Sequence, residues 1–273
     1  MLKKLLGLKR GNKFKYKVAI CCIVKDEDPY LIEWVNYHQK IGVDQFFIYD
    51  NGSKNAVADI LSHYIDEGIV RVDVLKGKAM QMPAYKQCLT QYGALCRWIA
   101  FIDIDEFIVP KTLTGSLPDF LAAYENYGGL GINWLVFGSN GHTKKQQGQI
   151  QSYTKRTLKS NLINGHIKSI VQPQYVKTGV SNPHHFPYKK GQFCVNENFE
   201  RIDSAIVSHT SNQIQLNHYN LRSLDEFKEK VLRGRSDIDL PRHIDYFDEH
   251  DKDANVITDE SIIELQMIID HKQ

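Results

Sequence analysis

Two aspartates one residue apart, Asp103 and Asp105, sit in the run Trp98-Ile-Ala-Phe-Ile-Asp-Ile-Asp-Glu106-Phe107. Trp98–Ile104 reads as an apolar strand, and on a strand the side chains at i and i+2 share a face. That alternation projects both carboxylates together, with Ile104 turned away. Paired carboxylates at the mouth of a sheet form a hard, anionic oxygen site suited to Mg²⁺ or Mn²⁺, and such an ion can bridge to a diphosphate. The competing reading is a solvated acidic loop. The apolar strand before the pair and the aromatic residues around it favour the metal site.

Two further clusters could carry chemistry: Val24-Lys25-Asp26-Glu27-Asp28 and Tyr49-Asp50-Asn51-Gly52-Ser53. A carboxylate at such a place can accept hydrogen bonds from ribose hydroxyls or a base N–H. Asp50 reads equally well as an ordinary Asx turn. Neither G-x-G-x-x-G nor G-x-x-x-x-G-K-[ST] occurs, so neither a dinucleotide fingerprint nor a P-loop is supported.

These residues need a scaffold that brings them to one edge. Val18–Val24 is a continuous apolar, β-branched run, as in a strand buried on both faces. Asp28-Pro29 predicts a helix start with Asp28 as N-cap, and Gly42 its end. Gln45–Tyr49 follows as a strand, Ala56–Asp66 as a helix, Ile69–Leu75 as a strand, Pro83–Leu95 as a helix and Trp98–Ile104 as the fourth strand. The alternation predicts an α/β fold: a mostly parallel central sheet with helices on both faces, binding ligands beyond the carboxyl ends of its strands. After residue 110 the rhythm breaks. Ser116–Tyr127 reads as a helix and Gly131–Phe137 as a strand. Ser139 to Leu216 reads as irregular, with short strands near Ile167–Val171 and Ile206–Val207. Ser223-Leu224-Asp225-Glu226 is a capping box that opens a helix to about Leu232.

Composition excludes several classes. The 273 residues are 42% hydrophobic and 24% charged, as in a soluble globular protein. The longest apolar run has seven residues, against the roughly 18 that a membrane span needs. Residues 1–17 form a basic tail with seven Lys or Arg and no acidic residue, leaving 27 basic against 32 acidic residues in the rest. A net negative body is a poor nucleic-acid binder. Leu2, Leu5 and Leu6 among the lysines suit peripheral contact with an anionic membrane; a solvated terminus is the plainer alternative. The five cysteines, an odd number without C-x-x-C, argue for a reducing compartment. With no secretory signal read in the sequence, the expectation is a cytoplasmic location, with contact at the inner face of a membrane as an option.

Several segments recur in a known order: Lys25-Asp26-Glu27, Leu31-Ile-Glu33-Trp34-Val-Asn-Tyr37-His38, Gly42-Val-Asp44 through Asn51-Gly-Ser53, and Trp98 through Phe107. Trp134…Phe137-Gly138-Ser139-Asn140-Gly141-His142, Lys168-Ser169-Ile-Val-Gln-Pro173, Asn217-His218-Tyr219, and Phe227, Lys230, Arg233 and Gly234 continue the series. Over roughly residues 17 to 250 the chain resembles the family 92 and related family 2-like glycosyltransferases. The resemblance implies a GT-A-like fold in one domain, 18–250. Its nucleotide-binding half would be 18–110 and its irregular acceptor-side half 111–250, followed by a C-terminal helical segment, 251–273. It also implies a UDP-sugar donor, a saccharide acceptor, Mn²⁺ or Mg²⁺, and inversion at the anomeric carbon, in a bacterial setting of surface polysaccharide or lipopolysaccharide synthesis.

Carried over by position, Asp105 would hold the metal, Asp103 would share it or hold the ribose, and His218 would be a third ligand. The alternative for His218 is a buried histidine bonded to backbone. Lys25, Glu27, Asp50 and Gln81 would line the nucleotide pocket, and the loop carrying Gly138 and Ser139 would approach donor and acceptor. The catalytic base would come from His184, His185, Glu197 or Asp237, with His185 and Asp237 put forward. Two other classes stay open on the residues alone. One is a metal-dependent phosphohydrolase, which also uses paired aspartates. The other is a sugar-nucleotide-binding protein without turnover.

Overall fold

The computed structural model describes residues 13–272. The stretch carrying Leu2, Leu5 and Leu6 lies outside the described residues. Strand β1 (Tyr16–Val24) is the centre of the first half. Its alternate residues enter two separate cores: Val18, Ile20, Cys22 and Val24 on one face, Ala19, Cys21 and Ile23 on the other. That is why the run is apolar at every position. Helix α1 (Asp28–Lys40) covers the first face through Leu31, Trp34 and Val35. After β2 (Gln45–Asp50), the short helices α2 (Val57–Ile60) and α3 (Ser62–Asp66), and β3 (Val70–Val74), helix α4 (Gln81–Tyr92) covers the second face through Ala84, Tyr85 and Cys88. Strand β4 (Cys96–Phe101) pairs parallel with β1, as β2 does on the other side, and β3 pairs parallel with β2.

The second half extends the same sheet. After β5 (Glu106–Pro110) and α5 (Leu117–Leu121) come β6 (Gly129–Val136), β7 (Lys155–Arg156) and β8 (Ile167–Val171). Strand β8 lies antiparallel between β4 and β6. The outer edge of β6 is shared. Its first residues pair with β9 (Cys194–Val195), which pairs with β10 (Arg201–Ile202). Its last residues pair with β11 (Ile214–His218), which turns away to pair antiparallel with β5. The result is a mostly parallel, mixed sheet with helices on both faces, the GT-A-like α/β architecture that the resemblance implies. Helices α6 (Leu224–Arg233) and α7 (Asp245–Asp251), strand β12 (Ile257–Thr258) against β7, and α8 (Ser261–Asp270) complete the chain. Ile262, Leu265 and Ile269 of α8 join the core under β1, so the described part of the C-terminal segment, 251–272, packs on the same body as 18–250. No helix among the described residues is long and apolar enough to cross a membrane. All five cysteines are free and buried.

Four sequence expectations shift. Ile206–Val207 forms no strand, Ile206 making only a single bridge to His166. The helix over 56–66 breaks at Leu61, which drops into the core with non-helical backbone and leaves two short pieces. The residue capping α1 is Glu27, not Asp28, and its carboxylate makes no capping bond. Most consequentially, the fourth strand ends at Phe101 rather than Ile104. Its last ladder partner is Cys21. Beyond it the chain folds into a turn, with the Glu106 amide donating to the Asp103 carbonyl at 3.0 Å and the Asp103 amide donating to the Glu106 carboxylate at 2.7 Å. Asp103 and Asp105 therefore share a cleft because of a turn, not because of strand alternation.

Candidate active site

A cavity of about 760 Å³ opens at the carboxyl ends of β1, β4, β6 and β11, where the fold class places ligands. Lys25, Gln81, Asp103, Asp105, Lys168 and His218 all border it. Register explains the convergence. His218, the last residue of β11, pairs with Glu106 on β5 and with Val136 on β6. The Tyr219 amide then donates to the Asp105 carbonyl at 2.8 Å. The end of β11 is thereby pinned against the turn that carries the two aspartates.

Each aspartate has its own lysine. Asp105 Oδ2 accepts from Lys230 Nζ at 2.6 Å, while its Oδ1 lies 3.8 Å from His218 Nε2. Asp103 Oδ2 accepts from Lys168 Nζ at 2.7 Å, and its Oδ1 accepts from Gln81 Nε2 at 2.8 Å. Burial by itself would raise the Asp105 carboxyl; the Lys230 ammonium, with the Arg222 guanidinium, outweighs it and holds the group well below the ordinary carboxylate range. Burial pulls the His218 imidazole down to about 3, against the charge of Asp105, so the ring is neutral at physiological pH.

Helix α6 supplies Lys230 because of how it begins. Ser223 accepts from the Glu226 amide, and the Glu226 carboxylate returns to the Ser223 amide and hydroxyl, which makes the capping box that the sequence predicts. Glu226 also accepts from the hydroxyls of Tyr30 and Tyr153. With the start fixed, Phe227 and Lys230 fall on the buried face at i and i+3, and Arg233 follows one turn on. Arg233 and Arg222 both clasp Glu27, each at 2.6 Å. Arg222 holds a left-handed backbone conformation (φ 52°) and lays its guanidinium 4.1 Å over the Tyr30 ring. Arg235 and Arg242 add basic groups to the cavity wall.

On β6, Trp134 donates to Glu106 Oε1 at 2.6 Å and faces three imidazoles, His166, His184 and His218, with ring centroids 4.9, 5.2 and 4.2 Å away. His166 and His184 also border the cavity.

The structure brings Lys25, Glu27, Gln81, Asp103, Asp105 and His218 to this cavity, as expected, and Asp237 with them. Four expected residues lie elsewhere. Asp50 turns its carboxylate onto backbone, accepting from the Ser53 amide three residues on at 2.8 Å, so it organises the local turn. Ser139 bonds to Asp251 through both its amide and its hydroxyl, each at 2.7 Å. A Cβ on Gly138 would lie 2.5 Å from the Ala254 carbonyl oxygen; that glycine admits neighbouring backbone, not a ligand. His185 borders a different cavity with Tyr188 and Arg201, while its neighbour His184 borders the central one. Two further candidates are otherwise engaged. Asp237 is held by a two-point ion pair to Arg235, at 3.0 and 2.7 Å. Glu197 accepts from the amides of Asn212, Gln213 and Ile214 and organises the start of β11. Sequence reasoning missed Lys168, Lys230, Arg222 and Trp134 as site residues. Phe227 and Lys230, three apart behind a capping box, were the available signal for one of them.

The donor set fits a divalent cation in part. Asp105 Oδ1 and the neutral His218 offer two donors of the right chemistry, whereas both oxygens of Asp103 are engaged by Lys168 and Gln81. Among the described residues no three His, Cys, Asp or Glu side chains converge to hold an ion by themselves. Two protein ligands suit an ion that takes its remaining oxygens from water and substrate phosphates.

Comparison with known proteins points to the same family that the motifs resemble. A Ricinus communis protein described as a glycosyltransferase family 92 protein is 32% identical over 233 residues, covering 82% of this chain and 39% of that protein. An Arabidopsis thaliana galactan beta-1,4-galactosyltransferase is 26% identical over 145 residues, covering 49% of this chain and 28% of that protein. Among solved structures, residues 1–349 of S. aureus TarS match at 16% identity and a TM-score of 0.43, over 78% of this chain and 62% of that one. The chain spans well under half the length of the curated relatives it matches. The model of glycosyltransferase family 92 covers residues 15–265, and the chain belongs to that family.

Proposed function

We propose that this chain transfers a sugar from a UDP-sugar to a saccharide acceptor, with inversion and with the help of Mn²⁺ or Mg²⁺. The observation that carries the reading is the pairing of Asp105 with a neutral His218 at the carboxyl edge of the sheet, in a cavity walled by Lys25, Lys230, Arg233, Arg235 and Arg242. Breaking the bond between the anomeric carbon and the diphosphate leaves negative charge on the departing oxygen. Fixed cations aimed at that charge lower the barrier without reorganising during the reaction. Lys230 and Lys168 are held in place by the two aspartates before substrate arrives, and Arg233 by Glu27. A divalent cation held by Asp105 and His218 would add charge neutralisation of the diphosphate. Family membership supports the transferase class, and the galactosyltransferase among the relatives makes UDP-galactose the first donor to try.

The test is UDP release from UDP-galactose and a panel of other UDP-sugars, with β-1,4-galacto-oligosaccharides as acceptor, in Mn²⁺ and in EDTA. The expected result is Mn²⁺-dependent release that Asp105→Asn lowers by roughly a hundredfold or more. Equal release in EDTA would remove the cation from the reading. Absence of both release and UDP binding would remove the donor.

A further inference from the structure

The three imidazoles around Trp134 are not equivalent. His218 faces Asp105. His166 lies nearly flat on the indole, at 21°, with its Nδ1 3.0 Å from the Ile163 carbonyl. His184 stands edge-on to the indole, at 73°, with its Nδ1 2.8 Å from the Ile167 carbonyl. A carbonyl only accepts, so Nδ1 of His184 carries the proton and Nε2 bears the lone pair. Among the described residues nothing bonds to that Nε2, and His184 borders the cavity.

The anchor of His184 is rigid. Ile167 is the first residue of β8, an interior strand between β4 and β6, and the next residue on it is Lys168, which holds Asp103. One strand thus fixes the tautomer of the imidazole and the position of the Asp103 carboxylate. Its sequence neighbour His185 turns to the other cavity, so the segment presents a single histidine to the cleft.

We propose that His184 is the general base of the transfer. The assignment rests on the reading of the cleft as a UDP-sugar transferase site. Nε2 takes the proton of the acceptor hydroxyl while that oxygen forms its bond to the anomeric carbon. The bond from that carbon to the diphosphate oxygen breaks, and its electron pair leaves with UDP. The imidazolium then gives the proton to solvent. Burial and the charge of Lys168 hold the free imidazole down to about 3, which keeps Nε2 unprotonated at neutral pH. The Asp237 carboxylate acts the other way, and an arriving diphosphate adds negative charge that favours the imidazolium as it forms. The imidazoles nearby, His166 and His218, add no negative charge.

The experiment compares His184→Ala, His184→Gln, His166→Ala and His185→Ala with wild type. It measures UDP release from UDP-galactose with β-1,4-galacto-oligosaccharides, and UDP affinity by calorimetry. Both His184 variants should lose roughly a hundredfold or more in kcat and keep wild-type UDP affinity. Added imidazole should restore part of the turnover of His184→Ala, which has space for it, and none to His184→Gln. His185→Ala, at the residue that borders the other cavity, should stay near wild type. Wild-type kcat in His184→Ala would overturn the assignment. So would a loss that follows UDP affinity, or a loss in His166→Ala with none in His184→Ala. An inert wild type that does not bind UDP instead brings down the transferase reading, and His184 with it.

Discussion

Lys230 Nζ lies 2.6 Å from Asp105 Oδ2, and both side chains are buried. The pair joins α6 to the turn after β4 across 125 residues of sequence. It does two jobs at once: it keeps the largely buried Asp105 carboxylate ionised, and it sets an ammonium at the wall of the cleft. The Lys168–Asp103 pair repeats the device on the other aspartate, at 2.7 Å.

A buried ion pair resists the loss of one partner far more than the loss of both. Lys230→Met removes the ammonium and leaves the buried Asp105 carboxylate without its hydrogen-bonded cation, a change that costs about 3–5 kcal/mol of folding stability. Asp105→Asn strands the lysine in the same way. The double variant Lys230→Met/Asp105→Asn should be more stable than the two single losses added together. Denaturant unfolding of all four proteins measures the coupling. Simple additivity would show that the two groups do not depend on each other.

Glu27 makes stability depend on acid. Burial would raise its carboxyl, but Arg222 and Arg233 outweigh that and hold it at about 2. Since the folded value lies below the unfolded one, the contribution is complete above about pH 4.5 and is lost as pH falls through about 2. A displacement of that size corresponds to roughly 3 kcal/mol. Glu27→Gln should be less stable at pH 7 and show a flatter stability curve between pH 4.5 and 2, measured by urea unfolding at stepped pH. Parallel curves for variant and wild type would place the acid sensitivity elsewhere.

What the sequence made legible was local. The unbroken apolar run of β1, the strand Ile167–Val171 and the capping box of α6 each follow from a few neighbouring residues, and each is present in the structure. The Asp103–Asp105 motif is at the cleft, yet the reason differs, because the strand stops two residues before Asp103 and a turn takes over. The partners of the site were not legible. Arg222 meets Glu27 from 195 residues away and Lys230 meets Asp105 from 125. Such pairings depend on where β11 and α6 land on the sheet, which no local period encodes. Gly138 and Ser139 misled for a related reason. A glycine marks a close approach, but the sequence does not say to what.

At Gly138 the close approach is to the chain's own C-terminal region. A Cβ there would lie 2.5 Å from the Ala254 carbonyl oxygen and 2.6 Å from Asn255 Oδ1, the same oxygen that accepts from the Asn140 amide. Backbone cannot swing aside as a long side chain can. Gly138→Ala must therefore push segment 251–255 away and weaken the Ser139–Asp251 bonds that close it. Overpacking of this kind costs about 1–3 kcal/mol. The cleft contains neither Gly138 nor Ser139, so the folded variant should bind UDP with the wild-type Kd while its Tm falls. Calorimetric titration and a thermal melt on one preparation separate the two effects. A weakened Kd at an unchanged Tm would return this loop to the donor site.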